Sequence, residues 1–417
     1  MRSSTSSKHE RTEKDVAYAL GLVLFALGIA ATIALHEAGH MFTARAFGMR
    51  VRRYYIGFGP TLWSTRKGGT EYGVAAIPFG GFCEIAGMTA ADEVIEEEAP
   101  YAMRTKPWWQ RVAVLLGGIF MNLVLGFVII YGVAVSSGIP NPYADRTPTA
   151  GQISCVKDQN PGGTLTDCSG EGPAQRAGLR PGDKILAIDG KKTATFQDVA
   201  QDVSTKPGQH VTLTVLRDGA QLDIGVDLSS AKRYNQDGST FQTGALGVTS
   251  QPITEPIKRF GPLHAVPATW ALSGQMMQAT VKGVASLPGQ VPGVAASIFG
   301  HQRDANSPMS VVGASRIGGE LAQRSLWDSF WLMLAQLNFF LAMFNVLPLP
   351  PLDGGHVAVV LYEKLRDLVR RLRGLPPGGP ADYRPLMPFT YVMAALMFGL
   401  GIIFLIADVV NPVRLPM

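Results

Sequence analysis

From Val16 to Leu35 the chain runs for twenty residues without a charge, and the next five are His36-Glu37-Ala38-Gly39-His40. An apolar run of about twenty residues is long enough for a helix to cross a bilayer. In hydrocarbon its backbone polar groups must be satisfied internally, which restricts the segment to a helix or a closed barrel. On a helix the two histidines lie one turn apart on one face. Imidazoles at that spacing can share a zinc ion, and a glutamate between them can act as general base. Ionisable groups are costly in a membrane, so a cluster ending an apolar run is itself a functional signal. A cleaved signal peptide is excluded by the length of the run and its unbroken passage into His36 and Glu37.

Three more apolar stretches follow. The predicted class is an α-helical polytopic membrane protein with about four transmembrane helices, near 16–47, 108–136, 325–349 and 385–407. The second is headed by Trp108 and Trp109, residues that anchor at the membrane interface, and has no charge from Val112 to Val135. Gly117-Gly118 and Gly126 permit close helix packing there. Asn122, inside the same span, is either a hydrogen-bond partner or packing glue. The third span carries Asn338 and Asn345 on one helical face and ends in Asn-Val-Leu-Pro-Leu-Pro-Pro-Leu-Asp-Gly-Gly-His, residues 345–356. Pro348, Pro350 and Pro351 break that helix, and a cytoplasmic helix is expected over 354–373. Asp353 just before it is an N-cap or a third metal ligand. With water in the fourth position, three protein ligands are what a catalytic zinc site needs, and His356 is the alternative to Asp353.

The segments between the spans differ in character. Residues 1–15 are polar and expected to be disordered. Residues 51–88 are rich in glycine, with strand-like pieces at Val51–Ile56 and Glu71–Ile77 and a turn signal at Gly68-Gly69, which predicts a small β-hairpin or sheet. Its apolar tips suit a loop dipping into the membrane against protein, with an ordinary soluble β-loop as the alternative. Asp92–Glu98 reads as a solvated acidic face. Residues 251–325 mix Pro and Gly with weakly amphipathic pieces and read as a membrane-surface linker. Pro288 and Pro292 break its apolar part, which is not counted as a span.

Lysine and arginine near span ends set orientation. The loop after span one (Arg50, Arg52, Arg53, Arg66, Lys67, Arg104, Lys106) and that after span three (Lys364, Arg366, Arg370, Arg371, Arg373) are both basic, hence cytoplasmic. Arg2, Lys8, Arg11 and Lys14 count against the resulting outside position of the N-terminal tail. The net charge of +5 lies beside the apolar spans and reads as topology; no aromatic-interleaved basic groove points to nucleic acid. Of the 3 cysteines, Cys155 and Cys168 fall in one polar region. If that region faces an oxidising space they can form a disulfide, closing a short loop worth ~3 kcal/mol; two unpaired thiols are the alternative.

Residues 172–190 read Gly-Pro-Ala-Gln-Arg-Ala-Gly-Leu-Arg-Pro-Gly-Asp-Lys-Ile-Leu-Ala-Ile-Asp-Gly. A helix near Phe196–Val203, a strand at Val211–Arg217, a turn at Asp218-Gly219 and a strand at Gln221–Leu228 follow. This stretch resembles a PDZ domain (α+β) of the kind found in bacterial proteases, here one inserted extracytoplasmic domain over about 145–250. Such folds bind extended peptides at a sheet edge; a steric gate is the other reading.

Taken together, His36-Glu37-Ala38-Gly39-His40, Gly57-Phe58-Gly59-Pro60, Ile77-Pro78-Phe79-Gly80-Gly81, the PDZ-like stretch, Pro308–Gly313 and Asn345–Gly355 resemble the site-2 protease family of intramembrane zinc metalloproteases. The resemblance is to the RseP-like branch (regulator of sigma-E protease type) and its actinobacterial anti-sigma-factor proteases. It covers nearly the whole chain after residue 15. It implies one zinc ion on His36, His40 and Asp353, with Glu37 catalytic. It also implies a substrate-holding role for Asn345, and a β loop, with Gly57, Phe58, Gly59 and Pro78, that presents an edge strand to an unwound substrate helix. The implied substrates are single-span membrane proteins, anti-sigma factors among them, already trimmed outside by a site-1 protease. The implied location is the cell membrane, with the active site near its cytoplasmic side. Two other classes are the alternatives: a membrane metal transporter, which needs no general base at Glu37, and a non-catalytic PDZ scaffold, for which His36 is dispensable.

Overall fold

The computed structural model describes residues 3–88, 92–161, 163–234, 239–301, 303–304, 307–379, 381, 384–413 and 415. The chain divides into two compact units, Met1–Pro140 with Lys258–Met417, and Asn141–Ile257.

The first unit opens with helix α1, Ser3–Ala46. The polar leader expected to be disordered is thus helical from Ser3. Extending a helix that the apolar run has already nucleated adds no nucleation cost. Strands β1 (Val51–Lys67) and β2 (Thr70–Ile85) follow, then α2 (Trp108–Ser136). After the second unit come α3 (Pro262–Ile298), α4 (Val311–Gln323), α5 (Trp327–Val346), α6 (Asp353–Leu372) and α7 (Met387–Val410). Among the described residues four segments, Thr12–Ala46, α2, α5 and α7, are long and apolar enough to cross a membrane. Leu20, Leu27, Phe120, Val128 and Phe398 on these helices are exposed, as suits surfaces that meet lipid.

Small residues set the helix spacing. A Cβ at Gly39 of α1 would lie 2.2 Å from the Gly117 carbonyl oxygen of α2, and one at Gly21 would lie 2.3 Å from Ala322 Cβ of α4. Phe25, Ile29, Ile317, Leu321, Phe330 and Leu334 fill the layer joining α1, α4 and α5.

The segment 251–325 is more ordered than a surface linker. The single 37-residue helix α3 contains Pro267, Pro288 and Pro292 and packs beside α2, α5 and α7. Pro288 and Pro292 do not break it. Both are exposed and four residues apart, so the carbonyls they leave unpaired share one outward face.

The glycine-rich loop is more than a hairpin. Both strands bend, and the register resolves into four segments in the order 61–67, 70–77, 51–56, 81–85. Residues 53–56 pair with 81–84 in antiparallel sense and with 71–74 in parallel sense. The first bend needs glycine: Gly57 and Gly59 have φ of +90° and +84°. Asp92 and Glu98 are not simply solvated. Arg52 donates to both carboxylates at 2.9 Å, tying the start of β1 to the acidic run.

The second unit has a four-stranded sheet, in the order Lys191–Lys192, Lys184–Ile188, His210–Arg217, Ala220–Asp227. The last two strands join through Asp218 and Gly219, both at positive φ, as a tight hairpin turn requires. Helix Phe196–Ser204 starts with a capping box between Thr195 and Asp198, and its Val199 and Val203 enter a core with Ile185, Leu213 and Val215. Cys155 and Cys168 are bonded, with Cα atoms 5.9 Å apart.

Candidate metal centre and active site

The site is assembled at the junction of α1, α2, α5 and α6. His36 and His40 project from one face of α1, as their spacing requires. Asp353 enters from the first residue of α6. The chain can turn sharply there because Gly354 follows: a Cβ at that position would sit 2.3 Å from the Val346 carbonyl oxygen at the end of α5.

His36 Nε2 lies 3.2 Å from Asp353 Oδ2 and His40 Nε2 lies 3.4 Å from the same atom. The two Nε2 atoms are 3.2 Å apart. All three ligand atoms fall within 4.8 Å of one another. Both histidines are buried, and the Asp353 side chain is 16% exposed. Asp353 Oδ2 is buried with no aligned hydrogen-bond donor among the described residues. An orphaned carboxylate oxygen facing two imidazole nitrogens is a costly arrangement by itself, and a cation satisfies all three atoms at once. Two nitrogens and one oxygen are also the donor set of a three-ligand catalytic zinc site. His356 is not one of the converging groups.

Helix α2 closes the far side. His40 Nδ1 is 2.8 Å from the Val114 carbonyl oxygen, which only accepts, so Nδ1 carries the proton and Nε2 is left free to ligate. A Cβ at Gly118 would lie 2.4 Å from His40 Nε2 and 2.7 Å from His36 Cε1. Asn122 is buried, with its Nδ2 3.2 Å from His36 Nδ1.

A cavity of about 250 Å³ opens beside the ligands, lined in part by His36, Glu37, Asn122, Asn345 and Asp353. Gly80 and Gly81 of β2 complete its wall. A Cβ at Gly81 would come 3.2 Å from Glu37 Cγ, so the strand backbone passes against the glutamate. Tyr54 on the neighbouring strand segment donates to the Ala34 carbonyl at 2.6 Å and holds the sheet against α1.

Gly57, Phe58 and Gly59 are not among the lining residues of this cavity; they form the bend of β1. Phe58 is 44% exposed, and its ring packs where a side chain on Gly80 would stand. Pro78 belongs to β2, and its side chain lies outside the described residues. The contributions of Val114, Gly118, Gly80 and Gly81 went unread in the sequence. The glycine pairs there signalled packing and turns, and no local pattern says which distant side chain a glycine must admit.

The model of peptidase family M50 matches residues 24–374. Zinc metalloprotease Rip1 of Mycolicibacterium smegmatis is 45% identical over 404 residues, covering 95% of this chain and 99% of that protein. Zinc metalloprotease Rip1 of Mycobacterium tuberculosis is 44% identical over 403 residues, with the same coverage. Metalloprotease MmpA of Caulobacter vibrioides is 30% identical over 362 residues, covering 82% of this chain and 85% of that protein. The matched region holds the His36, His40 and Asp353 cluster and the adjacent Glu37, and this multi-pass chain belongs to peptidase family M50, the site-2 protease family.

Proposed function

We propose that this protein is an intramembrane zinc endopeptidase that cuts the transmembrane segments of single-span membrane proteins. His36, His40 and Asp353 hold one zinc ion, and Glu37 is the general base. The observation that carries the reading is the buried Asp353 Oδ2, without an aligned donor among the described residues, facing two histidine nitrogens, with Glu37 on the wall of the same cavity.

Zinc supplies Lewis acidity, polarising the scissile carbonyl and acidifying water. The chain's own residues do the rest. Glu37 accepts the proton of the attacking water and returns it to the leaving amine. Asn345, which lines the same cavity, orients the substrate backbone. A helical substrate must unwind before its peptide bond can be attacked, and the freed backbone groups need partners. The segment 81–85, which passes Glu37 at the end of the sheet order, can supply them by strand addition.

Anti-sigma factors are the substrate class implied by the family resemblance, after a first cut by a site-1 protease. The basic loops put the active site near the cytoplasmic side of the cell membrane and residues 145–250 outside. Those residues act as a PDZ domain screening substrates. Support lies in the groove of about 360 Å³ between helix Phe196–Ser204 and residues 244–249.

Glu37→Gln in the native membrane tests the reading. Zinc content is expected to stay at one per chain while cleavage stops, and trimmed single-span proteins accumulate as stubs. Retained cleavage would sink the mechanism. Loss of function in His36→Ala separates it from a scaffold role.

A further inference from the structure

We infer that Asn122 is a positioning residue: its side-chain oxygen accepts a hydrogen bond from His36 Nδ1–H and so selects Nε2 as the ligating nitrogen. The inference rests on the metal-site reading above and deepens it.

Asn122 is 1% exposed, and its carboxamide meets the histidine ring on the side away from the ligand cluster. As placed, Nδ2 is 3.2 Å from His36 Nδ1, while Oδ1 is buried without a partner. His36 Nε2 points at His40 Nε2 and Asp353 Oδ2, both 3.2 Å away. A nitrogen that faces a cation presents its lone pair, so the ring proton must sit on Nδ1. Nδ1–H then needs an acceptor, and an NH2 group is not one. A half-turn of the carboxamide exchanges its oxygen and nitrogen. That single rotation gives Nδ1–H its acceptor and gives the orphaned oxygen its donor.

His40 provides the comparison within the same site. Its Nδ1 faces the Val114 carbonyl at 2.8 Å, an acceptor that leaves no choice of tautomer. Val114, Gly118 and Asn122 follow one another at intervals of four on α2, so they share one face. That face supplies an acceptor for one histidine, room for both rings, and an acceptor for the other. Partners of this kind are worth about 10- to 100-fold in metal affinity.

The test uses the full-length protein in detergent, with zinc affinity read by competition against a chromophoric chelator. Asn122→Leu keeps the volume and loses the acceptor; it is expected to bind zinc about 10- to 100-fold more weakly. Asn122→Asp keeps the acceptor and loses the donor; it is expected to bind within about threefold of the parent, or more tightly. Equal affinity of Asn122→Leu and the parent would reduce Asn122 to packing. Loss in Asn122→Asp as large as in Asn122→Leu would make the amide a donor and overturn the assignment. A measurement without any variant stands beside these. In zinc-loaded protein with 15N-labelled histidine, the His36 Nδ1–H proton is expected to exchange slowly with solvent, and rapid exchange would equally overturn the inference. If the parent and His36→Ala bind zinc alike, it is the metal site that fails, an outcome distinct from all of these.

Discussion

Replacing Gly118 with alanine adds one methyl group where the rings of His36 and His40, the proposed zinc ligands, meet helix α2. That Cβ would stand 2.4 Å from His40 Nε2, 2.7 Å from His36 Cε1 and 2.8 Å from His36 Nε2. Cβ contacts essentially never fall below 3.0 Å, so the nearest nitrogen must retreat by about 0.6 Å. Metal–ligand distances tolerate only about ±0.2 Å. Neither ring can move freely, since His40 is tied to the Val114 carbonyl and His36 lies against Asn122. Backing the helix away would give up the close backbone packing of Gly117 on Gly39. The displacement exceeds the tolerance about threefold, so at least the 10- to 100-fold loss that follows removal of a supporting partner is expected, roughly 1.4–2.7 kcal/mol of zinc binding. Zinc per chain by elemental analysis, chelator competition and cleavage of a membrane substrate should fall together. Stability of the metal-free protein should change by no more than the roughly 1–3 kcal/mol typical of overpacking. A Gly118→Ala protein that binds one zinc with parental affinity would refute the close approach of α2 to the ligand rings.

Four further outcomes are expected. Glu37→Gln should lower kcat by about 10²–10⁴-fold or more at unchanged zinc stoichiometry, since it removes a general base and no ligand. Breaking the buried pair Arg111–Glu363, at 2.6 Å between α2 and α6, by Arg111→Leu strands a carboxylate and should cost roughly 3–5 kcal/mol in a denaturant titration, with Glu363→Gln in the same chain recovering most of it. In the second unit, burial pushes the Asp183 carboxyl up, but Arg217 at 2.6 and 2.8 Å and the Arg180 N–H at 2.7 Å outweigh it and hold the group below the usual carboxylate range. A depressed folded pKa contributes stability that is present above the unfolded value of about 4 and lost as pH falls through the folded one. Protection of the amides of residues 182–188 against hydrogen exchange, corrected for the intrinsic exchange rate at each pH, should therefore be steady near neutrality and fall only below about pH 4, whereas a fall near pH 6 would point to another group. Cys155→Ser should destabilise the second unit by about 3 kcal/mol while leaving zinc affinity untouched, which calorimetry and chelator competition on the variant and the parent can check.

The parts of this site that the sequence discloses are those whose geometry is local. His36 and His40 share a face because of helix periodicity alone, and the prolines at 348, 350 and 351 end one helix just before Asp353. The bends at Gly57 and Gly80 were visible as glycines, yet the pairing of 51–56 with two strand segments at once was not. A turn signal such as Gly68-Gly69 announces only the partner it connects. Asp92 and Glu98 looked like surface charge because their partner, Arg52, lies some forty residues earlier. Helix α3 runs through Pro288 and Pro292 for a related reason: a proline's cost depends on whether the carbonyl it frees is buried, which the chain alone does not disclose.

That distinction bears on how the catalytic centre is built. The three proposed ligands and the proposed base come from α1 and from the first residue of α6, segments far apart in sequence. Nothing in either dictates the ring orientations, and each imidazole has two nitrogens to offer. The choice is made by α2, which supplies no metal ligand. Its Val114 carbonyl and Asn122 carboxamide lie behind the two rings, and Gly118 lets the backbone come close enough for both. The same helix is bound to α6 through Arg111–Glu363, ten residues beyond Asp353. Helix α2 is therefore the common reference for both halves of the centre. A shift of α2 would disturb the histidines through Val114 and Asn122 and the carboxylate through Glu363. Substitutions along the face 111–122 should consequently affect zinc affinity more than equally buried substitutions on the α1–α4 contact, such as Phe25→Leu. Chelator competition on the two sets of variants decides the point, and equal effects would mean that the ligands are held by their own helices alone.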